Sequence, residues 1–172
     1  MTLRLRLQPL PETIQEFDLA AEERYWTGLD LMTRGEGATG IYLMGYTAEM
    51  LLKNGYFLLD AQTTPTFPVG TQLGQAKLAM SSLLPQYKYK GYHDLIFWAT
   101  LLIEKRRSES RPLAPDVETA LMVRVQRLSD KWFVELRYRA AQATTAELND
   151  VYEDVTWIRS YYRDGTLYTP RR

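Results

Sequence analysis

Apolar residues recur along most of the chain at the spacing of a helix rather than of a strand. In 12–34 they fall three or four positions apart with acidic residues between them, which predicts an amphipathic helix. The next segment, 37–60, is apolar on nearly every side, so it predicts a helix at the centre of the fold. The glycines inside it, at 40, 45 and 55, predict the close approach of a neighbouring helix. A second buried helix is predicted over 92–107.

Turn-forming and capping residues predict the remaining elements. Residues 61–76 carry no charge but include prolines and glycines, so we expect the longest loop there, with a short helix after it over 75–84. Another helix is expected to begin at Pro115, since proline fits the first helical turn. The last helix is expected to begin at a Thr-x-x-Glu capping box, at Thr144, and alternating apolar residues predict an extended segment over 132–139 before it.

Together these segments predict an all-α protein, an up-and-down helical bundle of about five helices with a short extended segment before the last one. We expect an extended N-terminal arm over 1–11, the bundle over 12–165 and a C-terminal tail over 166–172. The 172 residues, of which 45% are hydrophobic and 24% charged, have the size and composition of one globular domain.

Composition excludes several kinds of chemistry. The chain has no cysteine, which excludes disulfides and thiolate sites, and the single histidine, His93, excludes a histidine-rich metal site. Because 21 basic residues balance 21 acidic ones, the net charge does not indicate a nucleic-acid or membrane binder. No signal-peptide pattern or bilayer-spanning segment is found, so we expect a cytoplasmic protein with no membrane partner. We also expect no metal and no cofactor, since the sequence shows no carboxylate metal cluster and no glycine-rich phosphate loop.

A stripe of polar residues on the central predicted helix is the first candidate site. Tyr46, Glu49 and Lys53 fall on one face of the helix over 37–60, and Glu49 precedes Lys53 by four residues, the favourable orientation for an ion pair. The stripe is interpreted either as a structural pair that lets a buried helix carry charge or as the wall of a ligand pocket.

The segment around the histidine is the second candidate. Aromatic and basic residues alternate through 87–92, which includes Lys88, and such a pattern is able to stack bases and hold phosphates. His93 and Asp94 follow in the first turn of a predicted helix, where an aspartate suits the N-terminus. The alternative interpretations are a solvated edge and a structural histidine.

Arg137 and Tyr138, on the predicted extended segment, form the third candidate. An arginine side chain there is well placed to bind a phosphate or carboxylate through two parallel hydrogen bonds. The alternative is a salt bridge to one of the acidic helix positions.

The segment 40–53, GIYLMGYTAEMLLK, resembles the second-helix signature of HEPN-type domains. The residues that match the signature are Gly45, Tyr46, Glu49, Leu52 and Lys53. The His-Asp-Leu sequence at 93–95 is similar to the start of a later helix in that family, and 132–138 resembles the segment before the final helix in some uncharacterised bacterial members.

This resemblance implies an up-and-down helical bundle, a homodimer, and a role in nucleotide or RNA handling. Many members act with a minimal nucleotidyltransferase, often as a toxin–antitoxin pair. Ribonuclease members, however, carry an arginine that is separated from their histidine by four to six residues, and the residues at those positions here are Gln86, Tyr87 and Lys88. The resemblance therefore favours a noncatalytic HEPN-like module that binds a nucleotide, RNA or a nucleotidyltransferase-type partner protein, without DNA specificity.

Two alternatives stay open. One is a toxin-like HEPN ribonuclease in which His93 is the catalytic residue, assisted by Lys88 or Arg137. The other is a helical assembly protein, which 12 tyrosines and 4 tryptophans would suit because aromatic residues favour interfaces. In the binding hypothesis Lys53 and Arg137 would hold phosphate, while Glu49 would orient Lys53.

Overall fold

The computed structural model describes residues 13–60, 63–88, 91, 93–133, 136 and 143–168. Within these ranges the chain forms six α-helices and no strand, and a single β-bridge joins Thr13 to Pro68. The all-α class predicted from the sequence is confirmed. The helices are α1 (Ile14–Thr33), α2 (Gly37–Phe57), α3 (Val69–Leu83), α4 (Leu95–Ser108), α5 (Pro115–Ser129) and α6 (Thr145–Arg163).

Local hydrogen bonds determine where several helices begin. The Thr13 hydroxyl accepts from the Glu16 amide (3.2 Å), and the Glu16 carboxylate accepts from the Thr13 amide (3.0 Å). Thr144 and Glu147 form the same capping box before α6, as predicted, and Pro115 occupies the first turn of α5. The backbone hydrogen bonds in the two boxes lower the pKa of both glutamates.

Helix α2 is the central element of the fold. It packs against α1, α4 and α6, and nearly all of its residues are buried. Helix α5 packs against α4 and α6, while α3 contacts α4. The sequence-based prediction that two largely apolar helices lie together at the centre is confirmed by the packing of α2 on α4.

The backbones of α1 and α2 approach closely where glycines face each other. A Cβ placed on Gly40 would lie 2.9 Å from the Gly28 carbonyl oxygen and 2.3 Å from the Met32 side chain. No real Cβ sits this close to a backbone atom, so the approach requires glycine at position 40. The expectation that a neighbouring helix passes near the glycines of 37–60 is thus met at Gly40.

Ion pairs connect α6 to both of its outer neighbours. Asp154 of α6 is fully buried and accepts hydrogen bonds from Arg124 Nη1 (3.0 Å) and Arg127 Nε (2.8 Å) of α5. On the opposite side, Arg159 Nε of α6 donates to Glu22 of α1 (2.9 Å). Because a buried carboxylate is costly without partners, the Asp154 contacts set how α5 and α6 are oriented.

The described residues form six helices, against about five in the predicted bundle, and the short helix expected over 75–84 is one of the six. Helix α3 begins at Val69, whereas only a short helix over 75–84 was expected. Gly70 and Gly74 weaken the helical signal in the sequence, but burial of Val69 and Ala76 against the core offsets their cost.

Parts of the predicted organisation lie outside the described residues. These parts are the arm over 1–11, most of the extended segment over 132–139, and the last residues of the tail. In the described part of 132–139, the Leu136 amide donates to the Phe133 carbonyl (3.0 Å), a local contact that an extended strand does not make. Gly165, with φ +84°, follows the C-cap of α6, and Leu167 beyond it is fully buried.

Replacing Gly40 by alanine tests the close helix approach. We expect Gly40→Ala to lower the free energy of unfolding by about 1–3 kcal/mol, because the new methyl group overpacks the contact with α1. Gly74→Ala is the matched control, since a Cβ there meets nothing within 4 Å. That variant should gain about 0.5–1 kcal/mol from helix propensity. Urea unfolding measures the free energy of unfolding of both variants. Equal stabilities of Gly40→Ala and Gly74→Ala would contradict the close approach of α1 and α2.

Candidate functional site

A buried carboxylate, Glu49, lies at the centre of the candidate site. It is 2% exposed on α2, and Lys53, one turn further along the same helix, donates a hydrogen bond to its Oε1. His93 Nδ1 lies 2.8 Å from its Oε2. Each carboxylate oxygen therefore has a partner of its own, which compensates the cost of burying the charge.

Lys53 faces the interior rather than the solvent. It is 5% exposed, and its Nζ lies 5.1 Å from the centroid of the Trp98 ring on α4, a cation–π contact. The ammonium thus sits between the Glu49 carboxylate and an aromatic face. Its position balances the charge of Glu49 and leaves little surface on which a ligand could contact it.

His93 is the part of this network that reaches the surface. Its side chain is 46% exposed, and the residue immediately precedes the N-cap of α4. An ionised carboxylate only accepts hydrogen bonds, so the contact with Glu49 places a proton on Nδ1. Nε2 has no hydrogen-bond partner among the described residues. A ring held in this way is oriented by one nitrogen and keeps the other for a proton or a ligand.

Aromatic rings surround the imidazole. The Tyr46 ring meets His93 edge to face, with 5.5 Å between centroids, and meets Trp132 in the same manner at 5.4 Å. The Trp132 indole donates to the Tyr42 carbonyl (3.0 Å) and lies on Gly45, where a Cβ would be 2.0 Å from the ring. Gly45 is therefore covered by a tryptophan that follows α5, not by the neighbouring helix that the sequence led us to expect.

Asp94 caps α4, as predicted, beside the histidine. Its carboxylate accepts from the Phe97 amide (3.0 Å) and from the Tyr87 hydroxyl (3.0 Å to Oδ2). Burial, together with this hydrogen bond, raises the pKa of the Tyr87 phenol above its usual value. These contacts fix the start of α4 and, with it, the position of His93 relative to α2.

The structure brings together four residues that the sequence singled out: Tyr46, Glu49, Lys53 and His93. Asp94 adjoins them through its capping role, whereas Lys88 is an exposed residue of the connection between α3 and α4. Arg137 and Tyr138 lie outside the described residues.

The sequence did not indicate two residues that support the site: Trp132, which covers Gly45, and Tyr87, which donates a hydrogen bond to Asp94. A glycine inside a buried helix indicates that something passes close by, and Gly45 carried that signal. It did not identify Trp132, because the two residues are far apart along the chain. Tyr87 was noted only as part of an alternating pattern, and no local signal indicates its hydrogen bond to Asp94.

Within the described ranges, no three histidine, aspartate or glutamate side chains come together as a metal-binding group. None of the six described helices combines the length and the hydropathy needed to cross a bilayer.

Comparisons of the chain with protein-family models, with curated proteins and with solved structures gave no match. The resemblance to HEPN-type domains therefore rests on the sequence motifs quoted above.

A double-mutant cycle on Glu49 and Lys53 tests the buried ion pair. Glu49→Gln and Lys53→Met are each expected to lower the free energy of unfolding by about 3–5 kcal/mol, because each leaves the other charge buried with a partner missing. The double variant should recover much of that loss, which urea unfolding would show as a coupling energy.

The exposed pair Asp30 and Arg34 is the matched control for this cycle, since it has the same i,i+4 spacing on a helix end at 51% and 68% side-chain exposure. Asp30→Asn and Arg34→Met should each cost less than about 1 kcal/mol. Additive effects of Glu49→Gln and Lys53→Met, with no recovery in the double variant, would contradict the pairing.

Proposed function

We propose that the chain is a noncatalytic helical module that binds a nucleotide or a short stretch of RNA at His93 and the rings beside it. The observation that carries the proposal is the half-exposed imidazole of His93, fixed through Nδ1 by the buried Glu49 and bordered by Tyr46 and Trp132. An oriented imidazole offers one hydrogen bond and the partly exposed Tyr46 ring offers a surface for stacking, which together suit a nucleobase, while the buried Trp132 (4% exposed) supports the two rings.

In this proposal, basic side chains other than Lys53 bind the phosphate groups of the nucleotide or RNA. Lys53 is occupied by Glu49 and Trp98 in the interior, so we assign it to charge balance instead of phosphate binding. Lys88 is exposed close to His93 along the chain, and Arg137 keeps the role that the sequence suggests for it. The resemblance to HEPN-type domains supports the same ligand class.

Ligand titration tests this proposal. Fluorescence anisotropy with a labelled single-stranded RNA, and calorimetry with nucleoside triphosphates, should both show saturable binding. His93→Ala should weaken that binding by about tenfold, the value of one stacking or base contact. Because the substitution also removes the partner of Glu49 Oε2, circular dichroism checks that the variant is folded.

Lys77→Ala serves as the control for this titration, since Lys77 is an exposed lysine on α3 away from the site along the chain. It should bind as the wild type does. No binding at millimolar ligand, or equal weakening by Lys77→Ala and His93→Ala, would reject the proposal.

A second candidate function is metal-independent RNA cleavage. The specific observation in its favour is the 2.8 Å contact between Glu49 and His93 Nδ1, because a carboxylate that holds one ring nitrogen prepares the other as a general base for a ribose 2′-hydroxyl. Against it, no arginine occupies positions 86–88 to stabilise the phosphate, and lysine lacks the planar fork of arginine.

Incubation of RNA with the protein in excess chelator separates the two functions. In the binding proposal the RNA stays intact although it binds. In the ribonuclease alternative the wild type cuts RNA but leaves a 2′-deoxy substrate intact, and His93→Ala is slower by about a hundredfold or more. Cleavage that persists in His93→Ala would remove this residue from any catalytic role.

A further inference from the structure

We propose that the outer face of α5 pairs with the same face of a second copy of this chain. This α5 face is defined by Asp116, Thr119, Ala120, Val123, Arg124 and Arg127. These side chains line an open groove of about 650 Å³. The inference is independent of the proposed ligand of His93, since none of these residues belongs to that site.

The centre of the α5 face is apolar and its ends are charged. Val123 is 60% exposed, and Ala120 lies beside it one turn earlier on the same face. A single exposed valine is ordinary in a soluble protein. The order of the polar residues on either side of it is what indicates the partner.

The α5 face is self-complementary when two copies run antiparallel. A two-fold axis that passes through the middle of 116–127 relates the two helices. Each residue before the middle of this segment then faces the residue that lies the same number of positions after the middle on the other helix. Ala120 then meets Val123 of the partner subunit, and Asp116 meets Arg127 of the partner subunit. The symmetry repeats both contacts, so the interface has an apolar centre between two ion pairs.

The charges at the two ends are open to such a partner. Asp116 is exposed and makes no hydrogen bond or ion pair within the described part of the chain. Arg127 uses Nε and Nη2 on Asp154, and its Nη1 is 3.9 Å from Asp150. That nitrogen can therefore donate a hydrogen bond to a further carboxylate. A parallel arrangement would instead place like charges together, which opposes association.

The size of the α5 face predicts a weak dimer. One helix from each copy covers less than the roughly 1,600 Å² of a standard stable interface, and smaller interfaces are typical of transient association. Dimer formation should therefore depend on protein concentration. Sedimentation velocity over a wide concentration range should show a shift from monomer towards dimer.

Two complementary variants test the register of the pairing. Val123→Glu and Ala120→Lys each place like charges near the two-fold axis, and each alone should weaken the dimer by more than about tenfold. Mixed in equal amounts, they should associate again, because the new carboxylate of one variant meets the new ammonium of the other. Sedimentation of the mixture, with one variant carrying a fluorescent label, measures this.

Leu78→Glu is the matched control, since Leu78 is 76% exposed on α3 and lies outside the α5 face. It should leave the dimer unchanged, and circular dichroism checks that every variant is folded. A wild type that stays monomeric at all concentrations overturns the proposal. So does a dimer that survives Val123→Glu, or a mixture of the two variants that fails to associate.

Discussion

The compensation of one buried charge, the carboxylate of Glu49, is the interaction on which the site depends. An unpaired carboxylate in the interior would cost several kcal/mol, so both of its oxygens need partners. Lys53 supplies one from the same helix, and His93 supplies the other from the residue before the N-cap of α4. Since the second partner belongs to another element, satisfying Glu49 also requires α2 and α4 to pack in one particular register.

Glycines on α2 make room for the groups that frame this network. Gly40 lets α1 approach on one side, and Gly45 lets the Trp132 ring lie directly against the backbone of α2. Trp132 in turn contacts Tyr46 and approaches His93, so the exposed imidazole is supported by packing as well as by the carboxylate. A side chain at Gly45 would displace the ring and change the surroundings of the histidine.

The same geometry explains why binding and catalysis are close alternatives here. An imidazole with one nitrogen fixed and its ring half-exposed suits either a hydrogen bond to a base or the transfer of a proton. What distinguishes the two is a cation placed to stabilise charge that develops on phosphate. The nearest basic residue before His93 along the described chain is the exposed Lys88, and Lys53 is committed to Glu49, which favours binding over cleavage.

The sequence by itself determined the helical class, the capping box that starts α6, and the Glu49–Lys53 pair, because all three depend on residues within a few positions of each other. Only the tertiary structure decided that His93 completes the pair and that Trp132 covers Gly45, since residues far apart meet only through helix packing. The tertiary structure also decided where α3 begins. Its glycines weaken the local signal, and burial of Val69 and Ala76 depends on neighbours that the local sequence does not contain.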